Sequence, residues 1–199
     1  MDRVSCPPPE PAVETSIGES ARRWLLASAR EALGRAMGAA VTPAGPAPPD
    51  PVLDQPRRLF VSWHEGAQLV GCIGTLQGDR PLREAVPHYA VQAGLHDPRT
   101  PRPTVEHFPH LHAEISILTE PEPMAERGLV EITRALVPGR DGLVLRDGPR
   151  RAVFLPVVWS SLPRPQDFVA ALCRKAGIDA ARRAPYVEGE RFFAELFEE

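Results

Sequence analysis

A cysteine between two glycines is the first feature of the sequence that could carry chemistry. It lies in the segment Gly71-Cys72-Ile73-Gly74. Glycine lets a ligand or another segment approach the backbone closely, and an accessible thiolate is a nucleophile or a metal ligand. Cysteine is also among the most frequently buried residue types, so a small side chain packed in a central strand is the alternative. Spacing alone favours the packed cysteine, and the reactive thiol stays open.

A second feature is the turn Asp97-Pro98-Arg99, which follows a predicted helix. Such a sequence is typical of a turn that ends a helix, with the aspartate pairing to the arginine or to backbone amides. The functional alternative is an anion-binding Arg99 that Asp97 holds in place. The residue types favour the turn.

Three histidines, His107, His110 and His112, lie close together in the sequence and could bind zinc or iron. No cysteine is near them, and Pro109 interrupts the segment. We therefore expect solvated histidines and no metal site, with a metal-binding cluster as the less favoured alternative.

The elements that must position these residues follow from hydrophobic periodicity. Apolar residues recur at helical spacing over residues 17–36 and 165–176, and a helix that contains Pro87 is predicted for 81–96. Because of this proline, we expect either a kink or a late start of that helix.

Strands are predicted where apolar residues run together or alternate with polar ones. Two of them, 59–63 and 68–76, flank a Glu65-Gly66 turn. A strand over 111–118 places Glu114 and Ser116 on its polar side. Further segments are predicted at 129–136 (helix), 143–145 and 152–155 (hairpin) and 191–197 (strand). Because helices and strands mix without strict alternation, we predict an α+β fold.

Composition excludes several classes of protein. With 199 residues, 43% hydrophobic and 25% charged, the chain is a globular domain with no apolar run long enough to span a membrane. Its net charge of −3 gives no indication of nucleic-acid binding. The odd number of cysteines, 3, favours a reducing, cytoplasmic location without disulfides.

Proline marks the segments outside the predicted core. The chain contains 24 prolines, and several of them fall in residues 1–15 and 43–56. We expect residues 1–15 to form a disordered tail and residues 43–56 to form an extended surface loop without helix.

Taken together and in order, a series of short segments resembles the AMME chromosomal region (AMMECR) protein family, and the bacterial AmmeMemoRadiSam system protein A within it. The resemblance covers roughly residues 18–199. The segments are Leu69-Val70-Gly71-Cys72-Ile73-Gly74, Pro81-Leu82, Asp97-Pro98-Arg99, Glu114-Ile115-Ser116-Ile117-Leu118, Gly139-Arg140-Asp141-Gly142-Leu143, Phe154-Leu155-Pro156, Lys175-Ala176-Gly177 and Phe197-Glu198-Glu199.

This resemblance implies an α+β fold of two subdomains with mixed or antiparallel sheets and a cleft between them. It suggests a single domain over 16–199, with a larger lobe of about 16–122 plus 180–199 and a smaller lobe of about 123–179. The family's signature segment, by the cleft, corresponds to Leu69, Gly71, Cys72, Ile73 and Gly74. Val70 stands where the family usually has arginine, which removes an expected anion-binding group.

The resemblance also implies partners, namely a Memo-like protein and a radical SAM enzyme. Two functions remain open. The first is an accessory component that binds a small ligand or peptide beside the glycine–cysteine segment. The second is an enzyme with Cys72 as nucleophile or substrate contact. The polar groups expected at this site are Asp97, Arg99, Glu114 and Ser116, next to Gly71, Ile73 and Gly74. We expect no cofactor, no nucleic-acid partner and no membrane contact.

Overall fold

The structure, a computed structural model, describes residues 17–199, so the tail predicted for residues 1–15 lies outside the described residues. It combines α-helices with two four-stranded antiparallel sheets, which confirms the α+β prediction. The helices are α1 (Glu19–Met37), α2 (Leu82–His96), α3 (Leu129–Ala135), α4 (Pro165–Ala176) and α5 (Ala180–Arg183). The strands are β1 (Arg58–Glu65), β2 (Gln68–Thr75), β3 (Leu111–Leu118), β4 (Glu122–Arg127), β5 (Gly142–Asp147), β6 (Arg150–Phe154), β7 (Glu188–Phe192) and β8 (Ala194–Glu198). None of the helices between residues 17 and 199 is long and apolar enough to cross a membrane.

The first sheet has the order β2-β1-β3-β8, and α1 and α2 cover one of its faces. Side chains on that face, including Val61, Trp63 and Ile115, are fully buried. Because neighbours along a strand point to opposite faces, the residues between them must point away from the helices. The candidate site lies on this second face.

The second sheet has the order β4-β7-β5-β6, and α3 and α4 pack against it. Its core contains Leu143 and Leu145 from β5, together with Phe168 from α4. The ring of Trp159 stacks on Phe168 with 3.9 Å between the ring centroids. The apolar layer between helix and sheet therefore gives this lobe a core of its own.

A small apolar junction connects the two lobes. Leu118 from the first sheet meets Val144 and Phe192 from the second, and Phe60 packs against them. The cavity between the lobes is only about 10 Å³ at this point, which is room for about one water molecule. The junction lies at one end of the face of the first sheet that the helices leave uncovered.

The sheets divide the chain differently from the two predicted lobes. The predicted larger lobe includes all of residues 180–199, whereas β7 lies in the second sheet, between β4 and β5. Only β8 returns to the first sheet, where it pairs with β3. The predicted strand over 191–197 is therefore two strands, one in each sheet. Sequence periodicity could not locate this division because it is a matter of pairing and not of local conformation.

Most of the other predicted elements are confirmed. The β1–β2 hairpin turns at Gly66, whose φ of 58° is favourable only for glycine. Helix α4 begins with Pro165 and ends at Gly177. The alternating pattern of residues 111–118 forms β3. Helix α2 begins at Leu82 with Pro87 inside it, so the alternative of a late start is wrong.

The proline-rich loop differs from the prediction in one respect. Residues 51–54 form a short 3₁₀ helix that begins with Pro51, and Leu53 within it is fully buried. Proline is compatible with the first position of a helix because the missing N–H would have no partner there. The loop is consequently anchored to the core and is not an extended surface segment throughout.

The close packing of α2 against β2 depends on Gly71. A Cβ atom at this position would lie 1.9 Å from the carbonyl oxygen of Ala93 in α2. Real Cβ atoms do not approach backbone oxygens so closely, so the helix would have to move away from the strand. Since Asp97 directly follows α2, Gly71 also determines where this carboxylate lies.

We predict that Gly71→Ala lowers the free energy of unfolding by about 2–3 kcal/mol, because α2 must shift away from β2. Gly139→Ala is the control, since Gly139 has a φ of 81° and open space around it. It should cost only the backbone strain of about 1 kcal/mol. Urea unfolding followed by circular dichroism measures both, and equal losses would contradict the close-packing argument.

Candidate functional site

The main chain of Cys72 is held by the turn that follows α2. Strand β2 is an edge of the first sheet, and the N–H of Cys72 donates to Oδ2 of Asp97 at 2.9 Å. Nη2 of Arg99 donates to the carbonyl oxygen of Cys72 at 2.7 Å. Two side chains thus take the hydrogen-bonding positions that a further strand would occupy. This arrangement matches the expected turn, in which Asp97 pairs with Arg99 and with backbone amides, whereas anion binding by Arg99 stays a prediction.

The Asp97 carboxylate is the centre of this network. Its side chain is 1% exposed, and it also accepts hydrogen bonds from the N–H and the Nε of Arg99, at 3.0 and 2.9 Å. The hydrogen bonds from the Arg99 side chain are the main reason that its pKa lies well below the usual range. Burial opposes this effect, and the backbone N–H groups of Cys72 and Arg99 add to it.

Arg99 carries the matching positive charge at the edge of the sheet. Its hydrogen bonds to Asp97 raise its pKa, burial opposes this, and the charge of Asp97 and the neighbouring Cys72 add to it. Its side chain is 64% exposed, so the guanidinium reaches solvent while its inner face is hydrogen-bonded. Arg99 therefore lies close enough to Cys72 to interact with the thiol.

The remaining residues of the glycine–cysteine segment have packing roles in the structure. Ile73 packs against the core beneath the first sheet. A Cβ at Gly74 would lie 2.0 Å from the carbonyl oxygen of Leu59, so Gly74 allows β1 and β2 to approach. Val70 is 9% exposed and packs in the same core, so it contributes nothing polar to the face of Cys72.

Cys72 itself lies in a polar row on the face of the sheet that the helices do not cover. The strand register places Cys72 opposite Ser62, Ser62 opposite Glu114, and Glu114 opposite Glu198. Directly opposed residues on neighbouring strands point to the same face. The thiol therefore shares a face with one hydroxyl and two carboxylates, and is not part of the core.

A second row on the same face contains two imidazoles, because His64 of β1 lies opposite His112 of β3. We call the six residues of the two rows the open polar face; they are Cys72, Ser62, Glu114, Glu198, His64 and His112. The predicted Ser116 lies one row nearer the lobe junction, opposite Phe60.

The structure brings the predicted site residues into two groups. Cys72 and Glu114 lie on the open polar face, and Ser116 lies beside it. Asp97 and Arg99 lie at the edge of the sheet, on the main chain of Cys72. Sequence reasoning missed Ser62, His64 and Glu198. The alternation of Ser62 and His64 with the apolar Val61 and Trp63 is a signal that could have indicated the first two.

The histidine cluster has a structural explanation for one of its members. Nδ1 of His107 accepts a hydrogen bond from the N–H of Thr104 at 3.2 Å, and it also contacts the Thr104 hydroxyl. This pair caps the 3₁₀ helix over residues 105–110. Within residues 17–199, no group of three His, Cys, Asp or Glu side chains has an arrangement that could hold a metal ion.

Comparison with known proteins places this site in a family context. The family model AMMECR1 matches residues 26–197. A protein of Thermofilum pendens is 37% identical over 138 residues, which are 66% of this chain and 63% of that protein. Protein MJ0810 of Methanocaldococcus jannaschii is 35% identical over 156 residues, covering 74% of this chain and 76% of that protein.

A solved structure matches nearly the whole chain. The crystal structure of the uncharacterised protein PH0010 from Pyrococcus horikoshii has a TM-score of 0.77 and 30% sequence identity. The match covers 92% of this chain and 93% of that one. These three relatives are archaeal, so they do not support the resemblance to the bacterial AmmeMemoRadiSam system protein A in particular.

We predict that Asp97→Asn lowers the free energy of unfolding by about 2 kcal/mol at pH 7, because the buried hydrogen-bond acceptor loses its charge. The folded-state pKa of Asp97 lies below the unfolded value of about 3.9, so its stabilisation is present above that value and is lost as the pH falls. The difference between wild type and variant should therefore shrink below about pH 4.

Urea unfolding at several pH values measures this difference. The matched control is Asp54→Asn, because Asp54 also pairs with an arginine, Arg83, but its side chain is 65% exposed. The control should change stability by less than about 1 kcal/mol. A loss for Asp97→Asn that is the same at every pH would contradict the role of the ionised carboxylate.

Proposed function

The chain belongs to the AMMECR1 family, and we propose that it is a binding component that works with a Memo-like protein and a radical SAM enzyme. In this proposal it binds a small ligand or a peptide on the open polar face beside Gly71–Gly74. One observation carries the proposal. The Cys72 side chain points to the face that the helices leave uncovered, while Asp97 and Arg99 fix its main chain.

A fixed backbone beneath unpaired polar side chains favours binding. Asp97 and Arg99 hold the position of Cys72 before any ligand arrives, so little conformational entropy is lost on association. Glu114 is half-buried and has no hydrogen bond or ion pair through its side chain within the described residues. A polar group in that state is stabilised by a ligand that supplies the missing partner.

The partners in this proposal come from the family resemblance, because the names of the three relatives indicate neither an activity nor a partner. The geometry is compatible with a larger molecule, because the face is an open sheet surface beside a closed lobe junction. A protein partner could therefore reach Cys72 directly.

The second candidate is an enzyme with Cys72 as nucleophile. The Arg99 guanidinium favours it, because it donates to the carbonyl oxygen of Cys72 and reactive cysteines lie in electropositive surroundings. A general base is the missing part, because no hydrogen bond joins Cys72 Sγ to an imidazole or carboxylate within residues 17–199. For this reason we place binding first. The two candidates differ in one result, which is turnover of a substrate by the isolated protein.

We predict that iodoacetamide labels Cys72 in the native protein at least about tenfold faster than Cys173. Cys173 is 2% exposed and burial raises the pKa of its thiol, so it should react only after unfolding. Mass spectrometry of the labelled peptides, with and without urea, measures both rates. Equal protection of the two thiols in the native state would contradict an accessible Cys72 thiol on the open polar face.

We predict further that the Memo-like protein or the radical SAM enzyme of the same organism slows the labelling of Cys72. The control is a cysteine introduced by Val130→Cys on α3, where the side chain is 58% exposed and far from the first sheet in the fold. Its labelling should not change. If both partners leave Cys72 as reactive as before, the proposed association is wrong.

A further inference from the structure

The open polar face holds two carboxylates that no cation from residues 17–199 neutralises. Glu114 and Glu198 are directly opposed on β3 and β8, which places their Cβ atoms about 5 Å apart. Within the described residues neither side chain has an ion pair or a hydrogen bond. Elsewhere on the surface carboxylates commonly have arginine partners, such as Arg146 for Glu190. Opposed like charges destabilise a sheet, so this pair lowers the stability of the protein unless a positively charged group binds there.

Two further polar groups on this face have no hydrogen-bond partner among the described residues. Ser62 is 7% exposed and lies between Cys72 and Glu114, and its hydroxyl makes no hydrogen bond to residues 17–199. Nε2 of His64, in the next row, is buried and has no hydrogen-bond partner in the part of the chain that the structure describes. Buried polar atoms are normally satisfied. The centre of the face is therefore built to receive a hydrogen-bonding group from outside the chain.

The chemistry of that group follows from these partners. Two carboxylates require a positive charge, and a neighbouring hydroxyl and imidazole can accept further N–H donors. The arrangement does not match a metal site, because the described residues contain no suitable group of three ligands. A guanidinium or an ammonium group supplies both the charge and several donors.

Exposed leucines flank this centre and indicate what carries the cation. Leu69 of β2 is 41% exposed and Leu196 of β8 is 48% exposed, at opposite edges of the sheet. Both lie on the open side, because Leu69 is opposite His64 and Leu196 is opposite Ser116. Leu69 lies in the row of His64 and Leu196 in the row of Phe60. Three strand spacings across the sheet and four residues along it therefore separate the two leucines by roughly 19 Å. An extended chain of about seven residues spans the same distance.

We propose that the open polar face binds an extended peptide segment whose central arginine or lysine lies between Glu114 and Glu198, with apolar residues of the segment on Leu69 and Leu196. This proposal rests on the proposed function, since it names the ligand chemistry for the same face. The peptide crosses the strands, and its basic side chain reaches the two carboxylates.

The test titrates the peptide acetyl-Leu-Ala-Ala-Arg-Ala-Ala-Leu-amide into the isotope-labelled protein and follows the amide chemical shifts of the protein. Saturable shifts of residues on β1, β3 and β8 are expected, and they should weaken at high salt. The same peptide with citrulline in place of arginine keeps the shape but loses the charge. It should bind about tenfold more weakly. Equal affinity of the two peptides, or no binding at about 10 mM, would overturn the proposal.

Variants of the protein locate the contact. Glu114→Gln and Glu198→Gln should each weaken arginine-peptide binding about three- to tenfold. Glu106→Gln is the matched control, because Glu106 is an exposed carboxylate on a 3₁₀ helix outside this face, and it should bind as the wild type does. Unchanged binding by Glu114→Gln contradicts the proposed contact.

Two controls separate the possible failures. Acetylarginine methylamide, which has no apolar flanks, should bind more weakly than the peptide, and equal affinity would contradict the role of Leu69 and Leu196. If the peptide does not bind while a partner protein still protects Cys72 from labelling, only the proposal of a basic peptide ligand is contradicted. If Cys72 is not labelled in the native protein, the proposed function is contradicted as well.

Discussion

The Asp97 carboxylate is the group on which the arrangement of the site depends. It accepts the N–H of Cys72 and at the same time holds the guanidinium that binds the Cys72 carbonyl. An edge strand presents unpaired backbone groups that can pair with another chain. Here an ion pair occupies those groups at one residue and also connects the end of α2 to the sheet. The same contact therefore protects an edge, orients a helix and fixes the backbone of the candidate site.

An edge strand of the second sheet, β6, makes a similar contact with a cationic side chain. Lys175, from the last turn of α4, donates to the carbonyl oxygen of Val153 in β6 and lies 5.2 Å from the centroid of the Phe154 ring. In both lobes, then, a cationic side chain near a helix end binds a carbonyl of an edge strand. The difference lies in the anion. Asp97 makes the first contact a buried charged network, whereas the contact of Lys175 is exposed.

Local patterns in the sequence predicted the helices and strands well, but they could not predict which strands pair with each other. The alternation in residues 111–118 and the apolar spacing of residues 165–176 correspond to β3 and α4, since both patterns reflect one buried face. The face of Cys72 could not be predicted, because a shift of one residue reverses every side chain of a strand. Glu198 was missed for a similar reason. Its position beside Glu114 depends on β8 returning to β3 after β7 has joined the other sheet.

The contiguous motif and the site are therefore different sets of residues. Gly71 and Gly74 serve close backbone packing, and Ile73 serves the core, so Cys72 is the member of Gly71–Gly74 that presents its side chain on the open face. Its polar neighbours come from three other strands. A chain selected for stability alone would not keep two opposed glutamates and, in the next row, a buried imidazole nitrogen without a partner among the described residues, because each raises the free energy of the unliganded state. Binding of a partner to the whole sheet surface, and not to the motif alone, would offset this loss of stability.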